Sequence, residues 1–381
     1  MKILFSITYY HPYISGLTIA AARWAEGLVA SGQTVTVLAY QHDKSLSLRE
    51  RIRGVSVYRA PWIVRISKGF LSWDWLVSAG RLAASHDAIV IHLPQIEGLT
   101  LAVLGKLQGK RVIALYHCEP ELPDGFVSGI IQSIMEVSHF LTLLIADKVV
   151  TYTVDYAKHS KVLAMWKKHT HRDIVAVTPP VPKPRQRVSL TRELKTRIGH
   201  SDVTIGIAAR LAAEKGIEYV LEALPILRTK MKRKQIKIVI AGPLEPVGEA
   251  IYKAKIMKLV KRYTKQVVFL GSVNPEYMGS FYRCIDMLVL PSLNRTEAFG
   301  MVQVEAMYMG VPVVASNLPG VRIPIQKTGM GEVVPPQSSK QLAEAMYKIV
   351  THKSRYTTPK KPVASLFSPT DSVTKLLSVV S

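Results

Sequence analysis

Short apolar runs alternate along the chain with segments that have helical periodicity. The helical segments include Thr18–Ser31, Ile217–Leu227 and Gln341–Val350. The apolar runs are short and β-branched, which is typical of buried strands in parallel sheets. This alternation predicts two doubly wound α/β domains that face one another across a central cleft. The predicted strands are Lys2–Thr8, Thr34–Ala39, Ala88–Ile91, Arg111–Tyr116, Val203–Ala209, Ile236–Ile240, Val267–Leu270, Met287–Leu290 and Val311–Ala315.

A proline-rich, basic segment divides the chain near its middle. This segment, Thr178–Arg185, has the sequence TPPVPKPR, and such a composition is typical of a linker between domains. We therefore place the first domain at residues 1–180 and the second at residues 181–350. The chain has 381 residues, of which 48% are hydrophobic, so it can bury a core in each domain.

The chain contains two cysteines, Cys118 and Cys284. They are too few for a disulfide framework and lack the spacing of a metal site, so a reducing compartment is expected. The first residues lack the long apolar stretch and the small-residue cleavage site of a signal peptide. We therefore predict a cytoplasmic protein, with a peripheral position on the inner face of the membrane as the alternative.

Fifty Lys and Arg residues against 27 Asp and Glu residues give the chain a net charge of +23. This excess indicates nucleic acid, an anionic membrane surface or phosphorylated substrates as partners. The basic residues lie in short clusters without interleaved aromatics, so no nucleic acid partner is expected. Docking on anionic lipid is favoured by Trp62, Trp73, Trp75 and the amphipathic helix predicted over Phe126–Ile145. A soluble enzyme with a basic surface explains the charge equally well.

The most informative stretch is Pro291–Ser316, with the sequence PSLNRTEAFGMVQVEAMYMGVPVVAS. A polar loop follows a buried strand, a helix begins near Phe299–Gly300 and ends at Gly310, and another strand comes next. Glu297 therefore lies in the loop and Glu305 in the helix. Ligands of open α/β sheets bind at the carboxyl ends of strands, where the following helix offers unpaired N–H groups.

These two carboxylates suit a ligand that carries hydroxyl groups at both ends and phosphates between them. A carboxylate accepts hydrogen bonds from two adjacent hydroxyls, such as those of a ribose, and helix N–H groups suit phosphate. A nucleotide sugar has this shape. A hydrolytic carboxylate pair is a rival, but eight helical residues span roughly 12 Å, whereas such pairs lie about 5–9.5 Å apart. Two ordinary surface glutamates are the simplest alternative.

Further candidate side chains follow other predicted strands. Arg210 and Lys215 flank the loop after the first strand of the second half, where an Arg and a Lys can neutralise a diphosphate. On these residues alone, a solvated basic pair is the alternative. Gly16 lies in the loop after the first strand of the chain, where phosphates or an acceptor would lie. His92 and His117 each follow a strand, and a structural role is the usual one for a lone histidine.

The run EAFGMVQVEAMYMGVPVVAS resembles the signature of family 4 retaining glycosyltransferases, in which seven residues separate two glutamates. The run from Arg210 to Gly216 is similar to another motif of that family, although Ala209 stands where glycine is usual. The resemblance is dense from Ile205 to Val350 and diffuse in the first half. It implies the GT-B architecture, with a tail at residues 351–381 that returns to the first domain.

The resemblance implies catalytic roles for four residues. Arg210 and Lys215 would stabilise the charge that develops on the departing diphosphate. Glu297 would bind hydroxyls of the donor sugar, and His117 would face the sugar and the acceptor. Cys118 stands after this histidine where the family often has Asp.

It also implies a set of residues that bind the donor. Glu305 would hold the ribose, and Val273 would help to hold the base. Gly16 would belong to a loop that usually carries two adjacent glycines, whereas this chain has Ser15-Gly16. The start of the helix would direct backbone N–H groups to the phosphates, from Ala298, Phe299, Gly300 and Met301.

The implied reaction is the transfer of a glycosyl unit from a nucleotide diphosphosugar to a hydroxyl of a glycan or lipid-linked acceptor, with retention. The resemblance implies no cofactor and no divalent metal. Closure of the two domains would exclude water. A GT-B-type nucleotide-sugar epimerase or phosphorylase is one alternative, although no lysine is identified for the pyridoxal cofactor of a phosphorylase. A non-enzymatic, basic nucleic-acid-binding protein is another.

Overall fold

The computed structural model describes residues 1–66, 69–122, 125–232, 234–245 and 249–381. These residues form two compact units: Met1–Pro180 with Pro369–Ser381, and Val181–Ser368. Each unit contains a mainly parallel sheet with helices in its crossovers. The doubly wound α/β architecture predicted from the sequence is therefore confirmed in each unit.

The first unit is built on one large sheet and a separate short hairpin. Its strands are β1 (Lys2–Ser6), β2 (Thr34–Tyr40), β3 (Arg49–Ile52), β4 (Val55–Ala60), β5 (Val64–Ile66), β6 (Gly69–Leu71), β7 (Ala88–Leu93), β8 (Arg111–Tyr116), β9 (Lys148–Thr151) and β10 (Ile174–Ala176). The sheet has the order β10-β9-β8-β7-β1-β2-β4-β3, and its neighbours are parallel except for β3 and β4. The strands β5 and β6 pair with each other in antiparallel orientation. All residues of β7 are buried, as expected for a central parallel strand.

The helices of the first unit that precede residue 180 are α1 (Gly16–Ala30), α2 (Trp73–Ser85), α3 (Gly98–Leu107), α4 (Phe126–Ile145), α5 (Val154–His159) and α6 (Lys161–Thr170). Helix α1 begins two residues before the predicted start because Ser15 and Thr18 form a capping box. The Ser15 hydroxyl accepts from the Thr18 N–H at 3.2 Å, and the Thr18 hydroxyl accepts from the Ser15 N–H at 2.9 Å. Helix α4 has the predicted bounds.

The second unit contains a fully parallel sheet. Its strands are β11 (Val203–Ala208), β12 (Ile236–Ala241), β13 (Val267–Gly271), β14 (Met287–Leu290), β15 (Val313–Ser316) and β16 (Gly331–Val334). The order is β13-β12-β11-β14-β15-β16. The chain thus builds outward from β11 to β13, returns to the other side of β11, and continues with β14. The point of reversal between β11 and β14 is where open α/β sheets bind ligands.

The helices of the second unit are α7 (Val188–Ile198), α8 (Ile217–Lys230), α9 (Ala250–Val260), α10 (Met278–Tyr282), α11 (Met301–Tyr308), α12 (Ile323–Thr328), α13 (Ser339–Thr351), α14 (Lys353–Thr357) and α15 (Val363–Leu366). Helices α8 and α13 pack over the sheet and bury residues such as Leu224 and Met346. The 310 turn Ala213–Lys215 precedes α8.

The last part of the chain divides between the two units. Residues 351–368 belong to the second unit, not to a tail on the first, because they bond to its sheet and helices. The Tyr356 hydroxyl lies 2.5 Å from Glu332 Oε1, and the Tyr308 hydroxyl donates to the Phe367 carbonyl at 3.2 Å. The final helix, α16 (Pro369–Val380), packs against α1 in the first unit. There the Trp24 indole donates to the Ser372 hydroxyl at 3.0 Å.

Candidate functional site

Two loops leave neighbouring strands at the reversal point of the second sheet. One loop follows β11 and contains residues 209–216, and the other follows β14 and contains residues 291–300. Strands β11 and β14 are parallel neighbours, and adjacent strands lie about 4.8 Å apart, so both loops begin close together at the carboxyl end of the sheet. The predicted residues Arg210, Lys215 and Glu297 all lie on these loops.

The two loops are in direct backbone contact. The Leu293 N–H donates to the Glu214 carbonyl at 2.9 Å. Gly216 ends the 310 turn with a φ of +61°, and a Cβ atom built on it would lie 2.3 Å from the Pro291 carbonyl oxygen. Only glycine fits this position without displacing a loop. The close approach fixes the neighbouring Lys215 beside the loop that carries Glu297.

The charged side chains of this site form two ion pairs. Lys215 Nζ lies 2.9 Å from Glu297 Oε2, and Arg210 Nη2 lies 2.6 Å from Glu214 Oε1. The four side chains are between 16% and 24% exposed, so they are screened less than surface ion pairs but can still meet a ligand. Two cations and two carboxylates therefore meet at the carboxyl end of these strands. Glu214 was not among the residues predicted for the site.

The start of α11 follows the same loop. The side chains of Ala298 and Phe299 are buried, and the Phe299 ring packs on Phe367 with centroids 5.9 Å apart. Gly300 precedes the helix, and Met301 is its first residue. Because both side chains are buried, Ala298 and Phe299 can contact a ligand only through backbone groups. The first N–H groups of a helix suit an anion.

Glu305 lies in the second turn of α11 and is only 5% exposed. Its Oε2 accepts a hydrogen bond from the Tyr282 hydroxyl at 3.0 Å, and Tyr282 is itself fully buried. This bond fixes the orientation of the carboxylate. Tyr282 was missed at the sequence level because it precedes Glu305 by 23 residues and carries no motif.

Val273 lies in the loop that follows β13 and is half-buried. Strand β13 is at the edge of the sheet, with β12 between it and β11. Two strand spacings amount to about 10 Å. The loop of Val273 therefore leaves the same carboxyl end of the sheet as the loop of Arg210, but it is a separate loop. The role of Val273 at the base remains a prediction.

The other two predicted residues, Gly16 and His117, belong to the first unit. Gly16 is exposed at the start of α1, and a Cβ atom built on it would meet no described atom within 4 Å. His117 follows β8 and is 1% exposed. Its Nε2 lies 2.7 Å from His92 Nδ1, and its Nδ1 bonds to the Tyr152 hydroxyl.

The two histidines are held in their neutral forms. Burial lowers the pKa of His92 to about 3. Burial and the neighbouring His92 ring together hold the pKa of His117 well below its usual value. His92 Nε2 is buried and has no hydrogen-bond partner within the part of the chain that is described. His117 is therefore not a cation, and both of its ring nitrogens are bonded, one to His92 and one to Tyr152, which set its orientation.

Across the described ranges of both units, no three His, Cys, Asp or Glu side chains group in a way that could hold a metal ion. Cys118 and Cys284 are not joined in a disulfide bond.

Buried neutral histidines predict a loss of stability in acid. We expect the free energy of unfolding to fall as the pH drops below about 6.5, by up to about 1.4 kcal/mol per pH unit for each histidine. The pKa of His92 is about 3 and that of His139 about 4 in the folded protein, so the unfolded chain binds more protons below its own pKa. The stabilising contribution is thus fully present above the pKa of the unfolded chain, about 6.5. It is lost as the pH falls from there towards the lower pKa values of the folded protein. Urea unfolding at pH 7.5 and pH 5 measures the change.

The variant His139→Phe isolates one of these residues. His139 is fully buried, neither ring nitrogen has a partner among the described residues, and its ring packs against Tyr116 at 6.0 Å. We expect this variant to lose less stability between the two pH values than the unmodified protein. The matched control is His200→Phe, at an exposed position. Equal pH dependence in His139→Phe and the unmodified protein would contradict the interpretation.

Two family models match the chain in succession. The model described as glycosyl transferase 4-like domain matches residues 15–160, and that described as glycosyl transferases group 1 matches residues 192–362. The first range lies in the first unit and the second range in the second unit. The second range contains Arg210, Lys215, Glu297 and Glu305.

Similar proteins were found by sequence and by structure. An uncharacterized glycosyltransferase of Methanocaldococcus jannaschii is 28% identical over 371 residues, which cover 92% of this chain and 89% of that protein. The lipopolysaccharide 1,2-N-acetylglucosaminetransferase of Salmonella typhimurium is 27% identical over 255 residues, covering 66% of this chain and 60% of that protein. The crystal structure of Anabaena HepE in complex with UDP-glucose matches with a TM-score of 0.74 and 18% identity over 100% of both chains.

These matches agree with the architecture and with the motifs. The solved structures share the GT-B fold, so the predicted fold class is confirmed. The two family models together cover most of the chain. The chain belongs to the group 1 glycosyltransferases of the family 4 type.

Proposed function

We propose that this glycosyltransferase moves a sugar from a nucleotide diphosphosugar to an acceptor hydroxyl with retention of the anomeric configuration. The observation that carries the proposal is the contact of Lys215 with Glu297 beside the Arg210–Glu214 pair. Two cations, which suit a diphosphate, lie next to two carboxylates, which suit sugar hydroxyls. They lie at the carboxyl end of the strands, where open α/β sheets bind such ligands, and this supports the proposal. HepE, which shares the fold, was solved with UDP-glucose.

In the proposed reaction, the bond between C1 of the sugar and the β-phosphate oxygen breaks, and its electron pair leaves with the nucleoside diphosphate. The acceptor oxygen bonds to C1 on the same face, and its proton passes to the departing phosphate oxygen. Arg210 and Lys215 stabilise the charge that develops on the phosphates, and N–H groups at the start of α11 add to this. The scheme uses these groups and no cofactor or divalent metal.

The carboxylates divide the hydroxyl groups of the donor between them. Glu297, on the loop, accepts hydrogen bonds from the sugar, and Lys215 bridges it to the phosphates. Glu305, oriented by Tyr282, accepts from the two hydroxyls of the ribose. Val273 contacts the base through its loop. In the first unit, we assign the side of the sugar and the acceptor to Gly16 and His117. His117 would exchange its bond to His92 or to Tyr152 for a bond to the ligand.

The proposed acceptor is a hydroxyl of a glycan or of a lipid-linked saccharide. The Salmonella relative is named for transfer of N-acetylglucosamine to lipopolysaccharide. The net charge of +23 also suits an acceptor that carries phosphate or carboxylate groups.

Donor binding is tested by thermal unfolding with UDP-, GDP- and ADP-sugars. We expect one nucleotide class to raise the unfolding temperature, because a ligand at 100 times its Kd stabilises the folded state by about 2.7 kcal/mol. Glu305→Ala should lose most of this shift, since the ribose loses its acceptor. NMR of the product then shows whether an α-linked donor gives an α-linked product, and distinguishes transfer from epimerisation.

The matched control for Glu305→Ala is Glu193→Ala. Glu193 is a largely exposed residue of α7 in the same unit, with a long contact of 3.9 Å to Arg197. Its variant should keep the full donor-dependent shift. The proposal fails if no sugar nucleotide stabilises the unmodified protein, or if Glu305→Ala keeps the complete shift.

A further inference from the structure

Helix α4 exposes a continuous row of large apolar side chains. The exposed fractions range from 38% to 85%, and the spacing of three or four residues places the whole row on one helix face. The row consists of Phe126, Ile130, Ile134, Val137, Leu141 and Leu144. Scattered exposed hydrophobics are ordinary, but a contiguous apolar strip on a folded unit marks an interaction surface.

The opposite face of α4 is packed inside the first unit. Ser138, His139, Thr142 and Leu143 are buried, and the helix contacts α3 and β8. By length and composition, the segment Ser128–Ile145 could cross a membrane. Because one side of it already packs in the first unit, we infer a helix that lies along a surface and presents one apolar face.

A basic helix flanks the apolar row. Helix α6 packs against α4, and the rings of Phe140 and His169 have centroids 6.0 Å apart. Residues 158–172 contain five Lys or Arg residues and no Asp or Glu. Lys161, Lys167 and Lys168 are exposed. The row itself contains no charged side chain, whereas the adjoining helix α6 carries exposed lysines, of which Lys167 lies 3.6 Å from the exposed Asp173 carboxylate.

The aromatic residues expected to assist membrane docking are placed differently from the prediction. Trp75 is buried and stacks on Tyr40, and the Trp62 indole donates to the Gln41 carbonyl at 2.9 Å. Trp73, at the start of α2, is 73% exposed. Of these three tryptophans, only Trp73 is largely exposed.

We propose that the apolar face of α4 and the lysines of α6 form a docking surface for an anionic lipid bilayer. The row inserts at the boundary between headgroups and acyl chains, and the lysines contact anionic headgroups. Charge complementarity favours an anionic bilayer as the occupant, because an apolar helix face next to a helix with exposed lysines matches the acyl chains and the anionic headgroups of a bilayer surface. The inference does not depend on the identity of the donor or the acceptor.

The test is co-sedimentation of the full chain with vesicles. We expect the protein to pellet with vesicles of equal parts phosphatidylglycerol and phosphatidylcholine, and much less with phosphatidylcholine alone. The double variant Ile134→Asp/Val137→Asp should bind at least tenfold more weakly, since it places two charges in the inserted row. Lys167→Glu/Lys168→Glu should weaken binding to the anionic vesicles in particular, by about fivefold for each lysine.

The matched control is Ile251→Asp, which changes a 90% exposed isoleucine on α9 in the second unit. It should pellet like the unmodified protein. All variants alter exposed positions, and circular dichroism with thermal unfolding confirms that they are folded. The donor-dependent thermal shift should persist in them, which separates failure of docking from failure of the proposed reaction.

Two results would overturn the proposal. One is the absence of binding to anionic vesicles by the unmodified protein, or equal binding by Ile134→Asp/Val137→Asp. The other is a change of oligomeric state in that variant, measured by light scattering, without any change in vesicle binding. The second result would mean that another copy of the chain covers this face.

Discussion

Replacing Lys215 by alanine is expected to lower kcat by about 10²–10³-fold, the loss seen when one preorganised group that stabilises transition-state charge is removed. The double variant Arg210→Ala/Lys215→Ala should have no measurable turnover. The physical reason is that both cations lie at the reversal point of the sheet, where the departing diphosphate is proposed to sit. Initial rates at saturating donor measure the effect, and thermal unfolding shows that the variants remain folded.

The control is Lys353→Ala, which removes an ion pair of similar length but greater exposure from the opposite end of β14. Lys353 Nζ lies 2.7 Å from Asp286 Oδ1, and Asp286 immediately precedes this strand. We expect its turnover to stay within twofold of the unmodified enzyme. The assignment is wrong if Lys215→Ala retains most of its turnover, or if Lys353→Ala loses as much.

The second large effect is expected from Gly216→Ala. An alanine at a φ of +61° costs about 1–2 kcal/mol, and its Cβ atom would overlap the Pro291 carbonyl oxygen. The backbone shifts that remove such an overlap typically lower the free energy of unfolding by roughly a further 1–3 kcal/mol. For a unit of this size we expect the unfolding temperature to fall by roughly 5–15 °C. Turnover should fall even below that temperature, because the loops that hold Lys215 and Glu297 are forced apart.

Gly310→Ala separates the two causes. Gly310 has a φ of +74°, similar to that of Gly216, but a Cβ atom built on it meets nothing within 4 Å. The Gly310→Ala variant should lose only the stability that the left-handed backbone conformation costs an alanine. Its turnover in the folded state should be normal. If both variants unfold at the same temperature, contact between the two loops contributes nothing beyond the backbone conformation.

The central strands could be predicted from the sequence because burial on both faces leaves an uninterrupted apolar run. Arg111–Tyr116 and Met287–Leu290 have the predicted bounds. The strands β3 and β4 were missed for opposite reasons. Strand β3 has the sequence RERI and is mostly exposed, whereas β4 ends near Arg59, a fully buried arginine that breaks the apolar pattern.

In the candidate site, the spacing of the motifs predicted which charged residues lie together, but it did not predict which residues they pair with. Arg210 and Lys215 were expected to act together on phosphate, yet each cation pairs with a different carboxylate. The pairing of Arg210 with Glu214 depends on a 310 turn that propensity does not indicate. The bond between Tyr282 and Glu305 is a tertiary contact, and the sequence carries no signal for it.

The position of α16 affects how the protein can be divided for experiments. The chain passes between the units twice, at residues 180–181 and again at 368–369, so the second unit is inserted within the first. A fragment cut at residue 180 would lack the Ser372 partner of the Trp24 indole and the helix that covers α1. Chimaeras between relatives therefore require exchange of residues 181–368 as one cassette, with both flanking segments kept from the same parent.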